Sequence, residues 1–225
     1  ALVAGAAAGS VAAVLLSLLI RRARGDVVAV MGMWFMFIMV VVALNWIALT
    51  RGALGIPGIV RPELFETSGR FLFLIMLSVA ITYGLVYRIV CSPFGRVLGA
   101  VRDDELAAET LGKNVFKARV IAFAISGALA GLGGGLFAYF YRFIDPVSFY
   151  ISTLIMILTI VYVGGLASIS GTLLGAALAG LLPELLRFFP FNPEVLGALR
   201  QILFAVLVLA VIIWRPKGIL GKVEL

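Results

Sequence analysis

Long apolar runs alternate with short charged islands along the chain. Apolar residues follow one another with little interruption over about 1–20, 27–49, 71–91, 118–140, 150–166, 169–187 and 200–214. Runs close to 20 residues match the length a helix needs to cross a hydrocarbon core of roughly 30 Å. A helix satisfies its own backbone hydrogen bonds there, which an isolated strand cannot do. The pattern predicts an all-α fold: a polytopic helical membrane protein with about seven transmembrane spans. Residues 151–186 form nearly one apolar run, broken by GGLASISG at Gly164–Gly171. That break fits either two spans joined by a tight turn or a broken helix pair inside a bundle.

Between the third and fourth runs lies a charged island, Ser92 to Arg119, reading SPFGRVLGAVRDDELAAETLGKNVFKAR. Local rules predict a short helix within it, from about Asp104 to Leu111. Asp103 or Asp104 is placed to cap its start, and the acidic cluster Asp103, Asp104, Glu105 suits the positive end of a helix dipole. Gly112 supplies the C-terminal stop, Lys113 suits the negative end, and Asn114 is placed to cap the next helix. Ala107, Ala108 and Leu111 should share a small apolar face, with Glu105 and Glu109 on a neighbouring one. The island is an ordinary capped loop helix or a knob that seats in another protein, and its residue pattern alone leaves these even.

Composition strengthens the membrane reading. Hydrophobic residues make up 63% of the 225, charged residues 13%, against about 25% in a soluble domain; the mean hydropathy is +1.18. With no His and one Cys, Cys91, the chain has no disulfide framework and no zinc or haem ligand set. The net charge of +7 comes from residues at span ends, which points to topology rather than nucleic acid. Assigning Lys and Arg to alternate loops puts twelve on one side, including the island and the tail RPKGILGKVEL, and six on the other. The positive-inside rule makes the first side cytoplasmic, and with it the C-terminus. The chain opens in an apolar run without Met or a basic leader, which leads us to expect a fragment with earlier spans missing.

Inside the spans the chemistry is mild. Gly127, Gly131 and Gly135 recur at four-residue spacing, as do Gly171 and Gly175, a pattern that lets membrane helices approach closely. A phosphate-binding loop at GLGGG is excluded, because no Lys-Ser or Lys-Thr follows and the glycines sit mid-span. Ionisable residues are absent from span centres, where proton- or sodium-driven carriers need ionisable or densely polar groups. The candidates to line a pathway are Asn45, Ser78, Thr82, Thr159 and Tyr162, with Tyr83, Ser126 and Thr153 beside them. Glu184 sits near the outer end of its span, three residues before Arg187. The outer loop from Thr50 to Arg70 is dense in Gly and Pro and reads as irregular backbone, either a cover for the bundle or a dock.

The string RDDELAAETLGKNVFKARVIAFAISGALAGLGGGLFA resembles the cytoplasmic coupling segment of ABC importer permeases. The family's loose Glu-Ala-Ala…Gly pattern falls on Glu105, Ala107, Ala108 and Gly112, with Leu106 inserted. More specifically the chain resembles the LivM-type permeases for branched-chain amino acids, through RRARGDVVAV, VALNWIALTRGALGIPGI, VGGLASISGTLLGAALAGLLPELLR and RPKGILG. One stretch departs: MGMWFMF stands where such permeases carry a Gly-Phe-Gly-Glu-like sequence. The resemblance implies a single permease domain over 1–225, with a coupling segment at 92–119. It implies a non-enzymatic subunit of a bacterial or archaeal cytoplasmic-membrane importer that binds no cofactor, ATP being used by partner subunits. Those partners are a second, homologous permease subunit, two cytoplasmic ABC ATPase subunits and an external solute-binding protein. Glu105, Ala107, Ala108, Leu111 and Gly112 would contact the ATPase. The alternatives are a carrier or channel not driven by ATP, a non-transporting scaffold, or an ABC permease for another small solute such as a sugar.

Overall fold

Sustained apolar sequence produces long helices, and the glycines decide which of them meet. The computed structural model describes residues 2–21, 23, 26–186, 206 and 219–221. Helices α1 (Leu2–Leu19), α2 (Asp26–Asn45), the short α3 (Ile47–Thr50) and α4 (Ser68–Val90) come first. They are followed by α5 (Pro93–Asp103), α6 (Glu105–Thr110), α7 (Val115–Tyr141), α8 (Ile151–Gly164) and α9 (Ile169–Leu186). Among the described residues, five segments are long and apolar enough to cross a membrane: Leu2–Leu19, Val27–Asn45, Ser68–Val90, Val115–Tyr141 and Pro146–Gly164. The seventh expected span, about 200–214, lies outside the described residues apart from Val206, and so do the side chains of Glu184 and Arg187. The chain divides into two compact units, Ala1–Tyr150 and Ile151–Leu225.

In the first unit α1 and α7 run antiparallel and pack through glycine. A Cβ on Gly9 would fall on the carbonyl oxygen of Gly127, and one on Gly131 would fall on that of Gly5. Gly135 faces the side chain of Leu2. Backbones this close gain dispersion contacts that larger side chains would prevent. By contrast, a Cβ on Gly133 or Gly134 would meet no neighbouring element within 4 Å. At 27 residues, α7 is about 40 Å long, enough to project beyond a 30 Å core.

The second expected span ends earlier than its hydropathy suggests. Trp46 leaves helical geometry at φ −85°, ψ 66°, so α2 stops at Asn45 and residues to Thr50 form the separate α3. Thr50 Oγ1 holds the break by donating toward the Ala43 and Trp46 carbonyls. Hydropathy averages over such a break, because Trp46 and Ile47 are as apolar as the helix before them.

The Gly- and Pro-rich loop from Thr50 to Arg70 is tied down at one end of α7. Strand β1 (Ile56–Pro57) pairs antiparallel with β2 (Phe143–Ile144), Ile56 opposite Ile144. Arg61 Nε donates to the Tyr139 carbonyl at 2.8 Å and Nη2 to that of Phe140 at 3.2 Å. Its guanidinium carbon lies 4.2 Å from the centroid of the buried Phe71 ring. A cation at a helix C-terminus meets the negative end of the dipole and satisfies carbonyls that lack an intrahelical donor. Replacing Arg61 with Ala is expected to release this loop, at a cost of about 1–3 kcal/mol. Hydrogen exchange over residues 56–61 should then accelerate while the amides in the middle of α7 stay protected; unchanged exchange would show that the strand pair alone holds the loop.

The second unit resolves the interrupted run as a helical hairpin, α8 turning into α9. Gly164 meets Gly171, and Gly175 meets Ile160 and Gly164, at distances that leave no room for a Cβ. The turn uses left-handed backbone at Gly165 (φ 111°) and Ala167 (φ 58°). The buried Ser168 closes it, its Oγ accepting from Gly171 N at 3.1 Å. Ile219 N and Leu220 N donate to the Val163 and Gly164 carbonyls, both at 3.1 Å, so the chain returns to satisfy carbonyls at the buried C-terminal end of α8.

Candidate coupling site

The island folds as two helices, of which hydropathy and capping signals had announced one. Ser92 starts α5: its Oγ accepts from Gly95 N at 3.3 Å, and Pro93 occupies the first turn, where a missing N–H costs nothing. Phe94, Val97, Leu98 and Val101 recur at i, i+3, i+4 and i+7 and are half-buried, while Arg96 and Arg102 are exposed. That spacing was a readable amphipathic signal, obscured by two glycines and a strong cap further on.

Asp104 both ends α5 and begins α6. Its backbone is extended (φ −153°, ψ 107°), its N–H still donates to the Ala100 carbonyl at 3.0 Å, and its Oδ1 accepts from Ala107 N at 3.0 Å. Of the two aspartates proposed as the cap, Asp104 takes the role; Asp103 instead pairs with Arg102 at 2.7 Å on an exposed surface, where such pairs contribute little. The far end of α6 is a Schellman turn: Lys113 N donates to the Ala108 carbonyl at 3.1 Å and Gly112 N to that of Glu109 at 2.9 Å. Gly112 sits at φ 74°, the left-handed geometry this turn requires. Asn114 Oδ1 then accepts from Lys117 N at 2.9 Å and starts α7.

The expected apolar face does not hold together. Ala108 is 1% exposed and points inward, whereas Leu111 is 75% and Leu106 59% exposed, with Ala107 exposed beside them. Glu105 also turns inward: its Oε1 lies 2.7 Å from Arg119 Nη2, with the two side chains 23% and 15% exposed. The outward surface of α6 is therefore Leu106, Ala107 and Leu111, and the inward surface is Glu105 and Ala108. Sequence spacing missed this because a helix of six residues has no face of its own; α7 decides which side is in.

The pathway candidates are spread over both units. Asn45 Nδ2 donates to the Val41 carbonyl at 2.8 Å, and Ser78 Oγ to that of Leu74 at 2.8 Å, so both bond within their own helices. Thr82 lies one turn beyond Ser78 on α4, and Thr159 and Tyr162 lie on α8. The packing glycines Gly127, Gly131 and Gly135 meet α1, while Gly171 and Gly175 meet α8. Their partners Gly5 and Gly9 carry the same small-residue spacing in Gly5-Ala-Ala-Ala-Gly9, a signal the sequence alone offers.

Long apolar helices packed through glycine, with a capped polar helix pair between two of them, define a multi-pass helical membrane protein. The sequence model of the family described as "Branched-chain amino acid transport system / permease component" matches residues 1–213, and the chain belongs to that family. It is 31% identical, over 92% of its length, to the high-affinity branched-chain amino acid transport system permease protein LivM of Salmonella typhimurium (strain LT2), covering 53% of that relative. The same figures hold for LivM of Escherichia coli (strain K12). Over 66% of its length it is 30% identical to the probable branched-chain amino acid transport permease protein LivH of Methanocaldococcus jannaschii, covering 46% of it. The chain spans about half the length of the curated relatives it matches. No solved structure matches it.

Proposed function

We propose that this chain is a membrane-spanning, non-enzymatic subunit of an ATP-binding-cassette importer for branched-chain amino acids, working in a bacterial or archaeal cytoplasmic membrane. The observation that carries the proposal is α6: a helix capped at both ends, fixed from behind by Arg119, that presents Leu106, Ala107 and Leu111 outward. Exposed apolar side chains on a short rigid knob fit a socket in another protein better than they fit water. Glu105, Ala108 and Gly112 give the knob its shape, and Ala107 and Leu111, with Leu106, make the contact.

In this reading two cytoplasmic ATPase subunits each receive such a helix, one from this chain and one from a second, homologous permease subunit. An external binding protein delivers the amino acid to the outer face, where the loop fastened by Arg61 lies. Closure of the ATPases pushes α6, and the bundle rocks between outward- and inward-open states. The Lys and Arg distribution supports a cytoplasmic α6 and C-terminus. ATP serves the partner subunits, and this chain binds no cofactor.

The test is co-purification followed by reconstitution. An ATPase should come down with the tagged chain, and vesicles holding the complex, ATP and the binding protein should accumulate labelled leucine. Leucine flux through vesicles containing this chain and no ATPase would favour a channel or secondary carrier instead. Absence of leucine flux with every component present, but uptake of a sugar, would move the substrate class and leave the ATP-driven mechanism standing.

A further inference from the structure

Three elements meet at Arg119. Its Nη2 reaches Glu105 of α6 at 2.7 Å, and its Nη1 reaches the carbonyl oxygen of Ala23, just beyond α1, at 3.4 Å. Beside it the guanidinium of Arg21 lies 4.7 Å from the centroid of Phe116 on α7. Further along the same two helices, Gly5 and Gly9 lock onto Gly131 and Gly127 with no space for a Cβ. The pair α1–α7 is therefore tied at its cytoplasmic end and close-packed along its length, the arrangement of a single stiff arm.

The link from α6 to that arm is otherwise slender. Residues 111–114 form a turn whose centre is a left-handed glycine with nothing within 4 Å. The small Ala108 is the apolar residue of α6 that is buried. A force on α6 would swing the helix about that turn unless something fixed its other end. That other end joins α5 through Asp104; Glu105, in the first turn of α6, ties it directly to α7, and an arginine suits the task because its planar fork holds two acceptors in different directions at once.

We infer that Arg119 is a positioning residue that transmits movement of α6 to the α1–α7 pair, and that Glu105 acts through Arg119 rather than by touching a partner protein. This rests on the reading that α6 receives the ATPase. It changes the role of Glu105 from docking contact to tether, and it assigns to Arg119 a role that the Glu-Ala-Ala…Gly pattern does not contain.

The experiment uses the reconstituted complex in phosphatidylethanolamine–phosphatidylglycerol vesicles, measuring ATP hydrolysed and labelled leucine accumulated in the same sample. Arg119→Gln and Glu105→Gln should each lower leucine moved per ATP by about five-fold or more. Hydrolysis should continue, and the ATPase should co-purify in wild-type amount. The double variant Glu105→Arg with Arg119→Glu should recover about half of the lost ratio, although it forfeits the bond to Ala23. A merely structural pair would reduce the amount of complex while leaving leucine per ATP unchanged, and that result overturns the inference. So does a reversed pair no better than the worse single variant. If the wild-type complex couples ATP to uptake and the single variants match it, the inference fails alone; if no ATPase accompanies the wild-type chain, the underlying reading fails and takes the inference with it.

Discussion

Replacing Ala107 with Arg should abolish coupled uptake while leaving the protein folded in the membrane. Ala107 is exposed on α6 and donates its backbone N–H to Asp104, so a longer side chain meets nothing within this chain and the cap survives. What changes is the knob: a charged, bulky group stands where, on the docking proposal, an apolar surface enters a socket. Central residues of such contacts carry about 2–4 kcal/mol, so coupling should fall by well over ten-fold. Gly112→Val attacks the same element through the backbone. At φ 74° with open space around it, Gly112 tolerates a Cβ sterically, but an L-residue there costs about 1–2 kcal/mol and a β-branched one more. The Schellman turn should loosen and α6 lose its fixed orientation. Uptake and hydrolysis measured together in vesicles decide the matter: normal uptake by both variants would end the docking proposal.

The second large effect concerns stability. Gly131→Leu should force α1 away from α7, because even the first carbon of the new side chain falls on the Gly5 carbonyl oxygen. Overpacking of this kind costs about 1–3 kcal/mol, and more where backbone rather than a flexible side chain must yield. Gly133→Ala on the same helix should do the opposite. A Cβ on Gly133 would meet nothing within 4 Å, so the change removes a flexible residue from a helix interior for a gain of about 0.5–1 kcal/mol. Thermal unfolding in detergent should show the two midpoints moving in opposite directions; a similar increase in both would mean that helix propensity, not close packing, governs this helix.

Much of the candidate coupling site was legible in the sequence. Asp104, Gly112 and Asn114 were readable as start, stop and restart because caps are local: each depends on a backbone N–H or a φ angle within three residues. The spans were readable because the bilayer demands a length and a composition rather than a partner. Helix α5 could have been read from Phe94, Val97, Leu98 and Val101, and Gly5 and Gly9 from their own spacing. The break at Trp46 could not, since tryptophan carries no helix-ending signal.

The sequence by itself determined that this is a helical membrane protein with a capped polar helix between two spans, because solvation and capping act over short stretches of chain. Tertiary structure alone decided which way α6 faces, that Glu105 is held by a residue 14 positions away, that Arg61 fastens its loop to the end of α7 some 78 positions away, and that the glycines of α7 meet those of α1. These are contacts between groups distant along the chain. An arginine at a span end can snorkel to water, grip a carboxylate or cap a helix with similar energies, and only the positions of its neighbours select among them.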